Sequence, residues 1–430
     1  MLDIKFIREN RDLVERAIED KRSQPVDIDS ILRLHDERKE LQQKLEEINR
    51  ARKAAADARN IEEGKRLKDE SQPIEEKLAA TEREFVQLMI KLPNIPSPDT
   101  PVGPDESGNK VLHSWGEKPH FSFEPKEHFE LGGSLGILNT EKAGDISGAR
   151  YAFLMGDLVQ LQFALLKFGF DTLTNEDTLK TIAGEAELSV NTKPFLPVLP
   201  PVMMKSAVMN RMARLQPIEE RYYFEKDDIV LVGSAEHTLG PLHMDEIIDE
   251  KQLPVRYAGY STAFRREAGS YGKDTKGILR QHQFDKLEME TFCLPEHSVK
   301  EQDFLVAIQE YILRKLKIPH QTVIICTGDM GGPDYRQIDI ECWMPGQNTY
   351  RETHSADLMQ GYQARRLNTR VRRSDGKVEH VHMNDATVIA MGRMLIAIME
   401  NYQQADGSII VPEVLQAYLG KDVITKPQHS

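Results

Sequence analysis

At 430 residues, the chain is long enough for two or three domains of roughly 100–200 residues each. Apolar residues at 40 % and charged residues at 29 % describe an ordinary globular protein, and no apolar run nears the ~20 residues of a membrane helix. A net charge of −13 excludes a surface that coats nucleic acid indiscriminately, but leaves room for RNA binding through one local patch.

The N-terminal segment MLDIKFIRENRDLVERAIEDK is charged throughout and lacks the apolar core of a signal peptide. That predicts a cytoplasmic protein with no membrane association. Residues 3–22 read as one short helix ended by Pro25. Next, Ile31, Leu34, Arg38, Leu41, Leu45, Ile48, Arg52 and Ala55 recur at alternating steps of three and four. After a polar stretch containing Gly64, the pattern resumes at Leu67, Ser71, Ile74, Leu78, Thr81, Phe85, Leu88 and Leu92. These are the inner positions of two heptad-patterned helices, each about 45 Å long. Two matched runs around a turn predict an antiparallel coiled-coil arm over residues 1–95, with Pro73 as a point of kinking. Cations gather near the tip, at Arg50, Arg52, Lys53, Arg59, Lys65, Arg66 and Lys68. They fit either a solvated face laced with ion pairs or a surface that meets RNA phosphates.

Residues 96–125, dense in Pro, Gly, Ser and Asp at their start, read as a linker. From 126 to 430, strands and helices mix. Residues 196–204, 228–233, 322–327 and 337–344 read as strands, residues 151–168 and 299–316 as helices, and the last helix spans about 387–402. In IDIECW, Asp339 and Glu341 alternate with Ile338 and Ile340, which suits an antiparallel sheet with one polar, ligand-facing side. The fold class is α+β.

Walker A, GxGxxG, HExxH and GxSxG sequences are all missing, so those chemistries are not expected. The three cysteines, Cys293, Cys326 and Cys342, have no zinc-ligand spacing and read as buried thiols. His282 and His382 read as packed residues. The richest segment is AFRREAGSYGKDTKGILRQHQFDKLEMETF, residues 263–292. Arg265 and Arg280 flank a turn containing Gly269, Gly272 and Gly277, so a β-hairpin would bring both guanidinium forks, which suit phosphate oxygens, to one place. Glu267 and Glu288 fall on the same face if the strands are regular. On charge pattern alone this is either a nucleotide-binding face or a surface hairpin laced with ion pairs.

FRREAGS, the later Arg280 and HQFDKLE resemble motif 2 of class II aminoacyl-tRNA synthetases in its seryl version. MGRMLIAIMENYQ (391–403) resembles motif 3, and WMPGQNTYRETHS with YQARRLN (343–368) resembles the segment between. HMNDAT (382–387) and SAE (234–236) fall where that family carries its amino-acid-binding runs. The resemblance, which extends over nearly the whole chain, implies a class II catalytic domain built on an antiparallel sheet flanked by helices, activating L-serine with ATP and charging tRNA(Ser). It implies Arg265 and Arg393 as catalytic residues. It places Arg265 on the α-phosphate, Glu267 at adenine, Arg280 near the γ-phosphate, and Phe284 and Arg393 on the two faces of adenine, with Arg266, Thr353 and His354 in the ATP set. Glu352 and Ser355 would hold Mg²⁺ with ATP, and no zinc is expected. Ser234, Ala235, Glu236, Arg265, Glu288, Thr387 and Asp385 would hold serine, with Glu236 and Glu288 on its ammonium and Thr387 on its hydroxyl.

LGILNTEKAGDISGARYAFLMGDLVQLQFAL (135–165) resembles the family's dimer-forming segment, so a homodimer is implied, with the arm reaching tRNA across it. Several positions depart from the family pattern. Ser234 replaces Thr, His354, Ala356 and Leu358 alter a Ser-rich run, and Asp385 stands where Asn is usual. GGPDYRQ (331–337) replaces a small-residue run. Two other readings stay open: a catalytically inactive, family-like RNA-binding protein, and a ligase that charges a carrier protein, though such relatives lack the arm.

Overall fold

A computed structural model describes residues 1–268 and 276–426; Gly269 and Gly272 of the glycine-containing turn lie outside the described residues. Two compact units are present, Met1–Pro96 and Ser97–Ser430.

In the first unit, α1 (Ile4–Glu9) and α2 (Arg11–Asp20) replace the single helix expected over 3–22, because the backbone at Asn10 leaves the helical region. The arm follows as α3 (Ile28–Asp57) and α4 (Ile61–Met89). Asp27 caps α3 by accepting from the Ser30 N–H at 3.1 Å, and Asn60 caps α4 by accepting from the Glu63 N–H at 3.1 Å. The tip is therefore at Ala58–Asn60, and Gly64 lies inside α4. Arg59 takes the left-handed conformation there, with φ of 53°. Ile31, Leu34, Leu41, Ile48 and Ala55 of α3 are buried, with Leu67, Ser71, Thr81 and Phe85 of α4. Arg38, a cation at an inner heptad position, lays its guanidinium 4.3 Å over the Phe85 ring and pairs with Glu82. Pro73 sits within a continuous α4.

The second unit is organised by an eight-stranded sheet. Its strands are β1 (Lys110–Trp115), β2 (Leu196–Val198), β3 (Val255–Phe264), β4 (Gln283–Cys293), β5 (His320–Ile324), β6 (Arg336–Met344), β7 (Thr349–Gln360) and β8 (His382–Ala390). Their order across the sheet is β1-β5-β6-β7-β8-β4-β3-β2, antiparallel throughout except for the parallel β2–β3 pair. Residues 110–115, within the stretch read as linker, form an edge strand of this sheet. The run 196–204 yields two short strands, Leu196–Val198 and Met203–Lys205, and 228–233 yields Ile229–Leu231. The helix read from 387 starts only at Met391, because 382–390 is β8, and a further helix, Glu413–Leu419, follows it.

Alternation divides the sheet into two faces. Leu287, Met289, Ile338, Ile340, Ala356, Ala386 and Val388 join one apolar cluster with the helices Asp157–Thr174, Ser298–Lys315 and Met391–Asn401. Gln309 of the Ser298–Lys315 helix donates to the carbonyls of Ser355, at 2.9 Å, and Thr387, at 2.7 Å, fixing the backbone of β7 and β8 from the core side. The other face is polar and lines a cavity of about 640 Å³.

Candidate active site

Arg265 and Arg280 stand just outside the facing ends of β3 and β4. The hairpin is closed there by the Arg265 N–H donating to the His282 carbonyl at 3.0 Å. Both arginines line the cavity with Glu267, Phe284, Glu288, Glu352, Ser355, Thr387 and Arg393. Arg265 Nε donates to the Gly233 carbonyl at 3.1 Å, and its guanidinium carbon lies 5.4 Å from the Phe284 ring centre. Glu267 is past the end of β3 with φ of 51°, so it reaches the cavity by a left-handed turn and not by strand alternation. Its carboxylate meets Arg280 Nη1 at 2.5 Å.

Strand irregularities aim the remaining side chains. Glu352 and Ser355 are three apart, and a regular strand would send them to opposite faces. The β6–β7 register shifts between Ile340 and Glu341, which makes Thr353 the extra residue of a bulge and returns Glu352 and Ser355 to one face. Thr353 turns its hydroxyl to the Ile340 carbonyl at 3.2 Å, though it still borders the cavity. Arg393, near the start of the Met391–Asn401 helix, donates to the Glu352 carbonyl at 2.8 Å and pairs with its carboxylate at 2.9 Å. Burial would raise the Glu352 carboxyl, but Arg393 and then Arg265 overcome it and hold it below its usual range. Asp339 is pushed well above the usual range by burial and by Glu352. Glu352, Ser355 and Asp339 offer hard oxygen donors, the set that suits Mg²⁺.

The other end of the cavity is lined by Ser234, Glu236, Glu288, Thr387 and Asp385. Thr387 Oγ1 donates to Glu288 Oε1 at 3.3 Å, and Lys286 also pairs with Glu288. Arg214 Nε donates to Glu236 Oε1 at 2.7 Å. Burial would raise Glu236, yet Arg214, then His237 and Lys286, hold it well below the usual carboxylate range. His237 is buried and its pKa falls to about 3. Its Nδ1 accepts from the Gly233 N–H at 3.1 Å, which secures the turn that carries Ser234.

Three residues of the implied site are not among the cavity-lining side chains. His354 is 1 % exposed and points into the core, with Nε2–H donating to the Val388 carbonyl at 3.1 Å and Nδ1 meeting the Thr353 hydroxyl at 2.8 Å. The bulge that turns Ser355 inward turns His354 away. Ala235 is fully buried, close to Gly259. Arg266 instead lies 5.1 Å over the Tyr222 ring. Conversely, Arg214, Lys286, Gln337 and Asp357 line the cavity and were not singled out. Lys286 was within reach, since it alternates with Phe284 and Glu288 on β4. Arg214 comes from outside every motif, and no spacing signals it.

Residues 1–96 match the Seryl-tRNA synthetase N-terminal domain, and residues 222–402 match the tRNA synthetase class II core domain (G, H, P, S and T). A serine--tRNA ligase of Thermodesulfovibrio yellowstonii is 39 % identical over 99 % of this chain and 100 % of its own length. That of Thermotoga maritima is 40 % identical, again over 99 % and 100 %. Among solved structures, seryl-tRNA synthetase from Pyrococcus horikoshii complexed with ATP superposes with a TM-score of 0.85 at 32 % identity, covering 100 % of both chains. Cytoplasmic serine-tRNA ligase from Naegleria fowleri in complex with AMP gives 0.82 at 28 % identity, covering 100 % of this chain and 99 % of its own. With both domain models matched in chain order and full-length relatives at this identity, the chain belongs to the seryl-tRNA synthetase family.

Proposed function

We propose that the protein activates L-serine with ATP and transfers the seryl group to the 3′ end of tRNA(Ser). One observation carries the reading: a single polar sheet face gathers three arginines and Phe284 beside a pocket holding Glu236, Glu288 and Thr387. The triphosphate is bent along Arg265 and Arg280, with adenine between Phe284 and Arg393 and near Glu267. Guanidinium forks suit this task because charge grows on phosphate oxygens as the α-phosphorus is attacked. Glu352 and Ser355, with Asp339 beside them, would hold Mg²⁺, which when bound neutralises phosphate charge.

Glu236 and Glu288 receive the serine ammonium, and Thr387 with Glu288 pairs its hydroxyl. A site built around a hydroxyl discriminates strongly, since alanine would leave these buried groups unpaired. Oriented this way, the serine carboxylate attacks the α-phosphorus in line and pyrophosphate leaves. The terminal tRNA hydroxyl then takes the seryl group from the adenylate. Proximity and charge placement supply the acceleration, and no protein nucleophile takes part. The arm binds tRNA, two copies form a homodimer, and the protein acts in the cytoplasm.

Pyrophosphate exchange with serine, set against threonine, alanine and cysteine, tests the reading. Serine-dependent exchange followed by charging of tRNA(Ser) is expected. Absence of exchange with purified protein would leave only a family-like RNA-binding role.

A further inference from the structure

Beyond Thr387 the cavity runs onto a charged floor. Gln337, Asp357, Asp385 and Glu290 occupy one row of the sheet across β6, β7, β8 and β4. Asp357 and Asp385 line the cavity, and Glu290 is fully buried beside Asp385. Arg214 lies among these groups. Its Nε is engaged by Glu236 at 2.7 Å, while its Nη2 is 3.8 Å from Asp385 and from Asp334 and 4.0 Å from Asp357. Those three separations exceed hydrogen-bond length.

Separate observations point from this cluster to a ligand. Both carboxyl oxygens of Glu290 are buried without a hydrogen-bond partner, and Oδ2 of Asp385, a residue only 4 % exposed, receives no nitrogen donor, its neighbour being the Glu236 carboxyl. Burial and then Glu236 raise the Glu290 and Asp385 carboxyls well above their usual range. Buried carboxyl oxygens that receive no donor are costly to keep. Lys286 is engaged by Glu288 and Arg214 by Glu236, so a further cation would have to enter from the cavity. The entrance to this floor is the Thr387–Glu288 pair, where the β-substituent of a bound amino acid sits if the serine reading above holds.

Resting on that reading, we infer that the pocket also takes a small amino acid with a second ammonium on its β-carbon, that ammonium lodging against Asp385 and Asp357. Such a molecule matches serine in size, so it needs no extra room. Its three N–H donors meet Oδ2 of Asp385, which a hydroxyl with one donor leaves unserved, while Asp357, whose Oδ1 already accepts from the Ser355 hydroxyl at 2.9 Å, adds a carboxyl beside it. Activation is unchanged: a carboxylate oxygen bonds to the α-phosphorus, the bond to the bridging oxygen breaks, and pyrophosphate leaves. The side-chain ammonium only binds.

The experiment is pyrophosphate exchange by the full-length protein with L-2,3-diaminopropionate, L-serine, L-alanine and L-2-aminobutyrate. The diamino acid should reach a kcat/KM within about tenfold of serine and at least a hundredfold above the two apolar analogues. In Asp357→Asn, Asp385→Asn and the double variant, the ratio of diaminopropionate to serine efficiency should fall tenfold or more. Because both substrates meet the same preparation, the ratio is insensitive to any unfolded fraction. Exchange with serine but none with the diamino acid above the alanine level would overturn the inference and leave the serine reading intact. Diamino acid exchange with an unchanged ratio in all three variants would overturn it too. Exchange with no amino acid would remove the serine reading on which it rests.

Discussion

Arg265 is tethered by its backbone to His282 and by its Nε to Gly233, so its terminal nitrogens are held in place before any ligand arrives. Preorganised donors of this kind are each worth about 10²–10³ in rate. Arg265→Ala should therefore lower serine-dependent exchange by at least roughly that factor while the circular dichroism spectrum stays unchanged; normal exchange would remove the phosphate role. His354 offers a different residue-scale test. Burial holds its pKa at about 3, against a value of about 6.5 in the unfolded chain. Between these values the unfolded state binds a proton that the folded state refuses, so stability rises with pH across the window and is lost on acidification. The slope is half its limit at pH 6.5 and approaches about 1.4 kcal/mol per pH unit below it, which amounts to about 1.6 kcal/mol between pH 6.5 and pH 5. His354→Gln keeps a donor for the Val388 carbonyl and should lose less stability over that interval in urea titrations. Equal losses in the two proteins would show that His354 is not the group responsible. At this scale the motif residues were legible because charge type and spacing survive in the sequence. Ala235, Arg266 and His354 were not, because adjacency in a motif does not say which way a side chain turns.

At the level of elements, the arm was the most legible part, since its 3-4 spacing is the direct image of helix packing. Within the polar stretch the turn itself was not located by the heptad spacing; Asn60, a capping residue, determines where α4 begins. Bulges were invisible, since the four-residue run from Glu352 to Ser355 looks the same whether or not the strand carries an extra residue. Pro73 gives this scale its test. It lies inside α4, where it lacks the N–H that would complete the helix ladder. Its side chain is exposed on the helix surface, so no packing compensates. Pro73→Ala should stabilise the arm by roughly 1–3 kcal/mol, seen as slower amide exchange along α4 in the full-length protein. Unchanged or faster exchange there would mean the proline is accommodated without cost.

For the whole molecule, the sequence showed where composition changes but not that Lys110–Trp115 would join the large sheet, because a short edge strand with exposed side chains carries no burial pattern. The division of labour between units is testable by deleting residues 31–92. Serine-dependent exchange should persist near its full rate, and tRNA charging should be lost; undiminished charging would take the tRNA role from the arm. The electrostatics sharpen this. A chain with a net charge of −13 repels RNA at long range, so binding has to be won locally and against that background. Arg66 at the tip is already engaged by Glu63 and Glu70. Among the described residues, Lys53, Arg59 and Lys65 show no carboxylate within ion-pair distance, which leaves them available for phosphates. Each phosphate contact adds about 0.9 to the slope of log affinity against log salt. Replacing Lys53, Arg59 and Lys65 with alanine should therefore flatten the salt dependence of tRNA binding by roughly 2–3 and raise KM for tRNA most at low salt. KM for serine and ATP should not move, because these side chains belong to the arm and the cavity proposed to take serine and ATP is lined by residues of the other unit. An unaltered slope would mean that the tip cations form only a solvated face and that tRNA is held elsewhere.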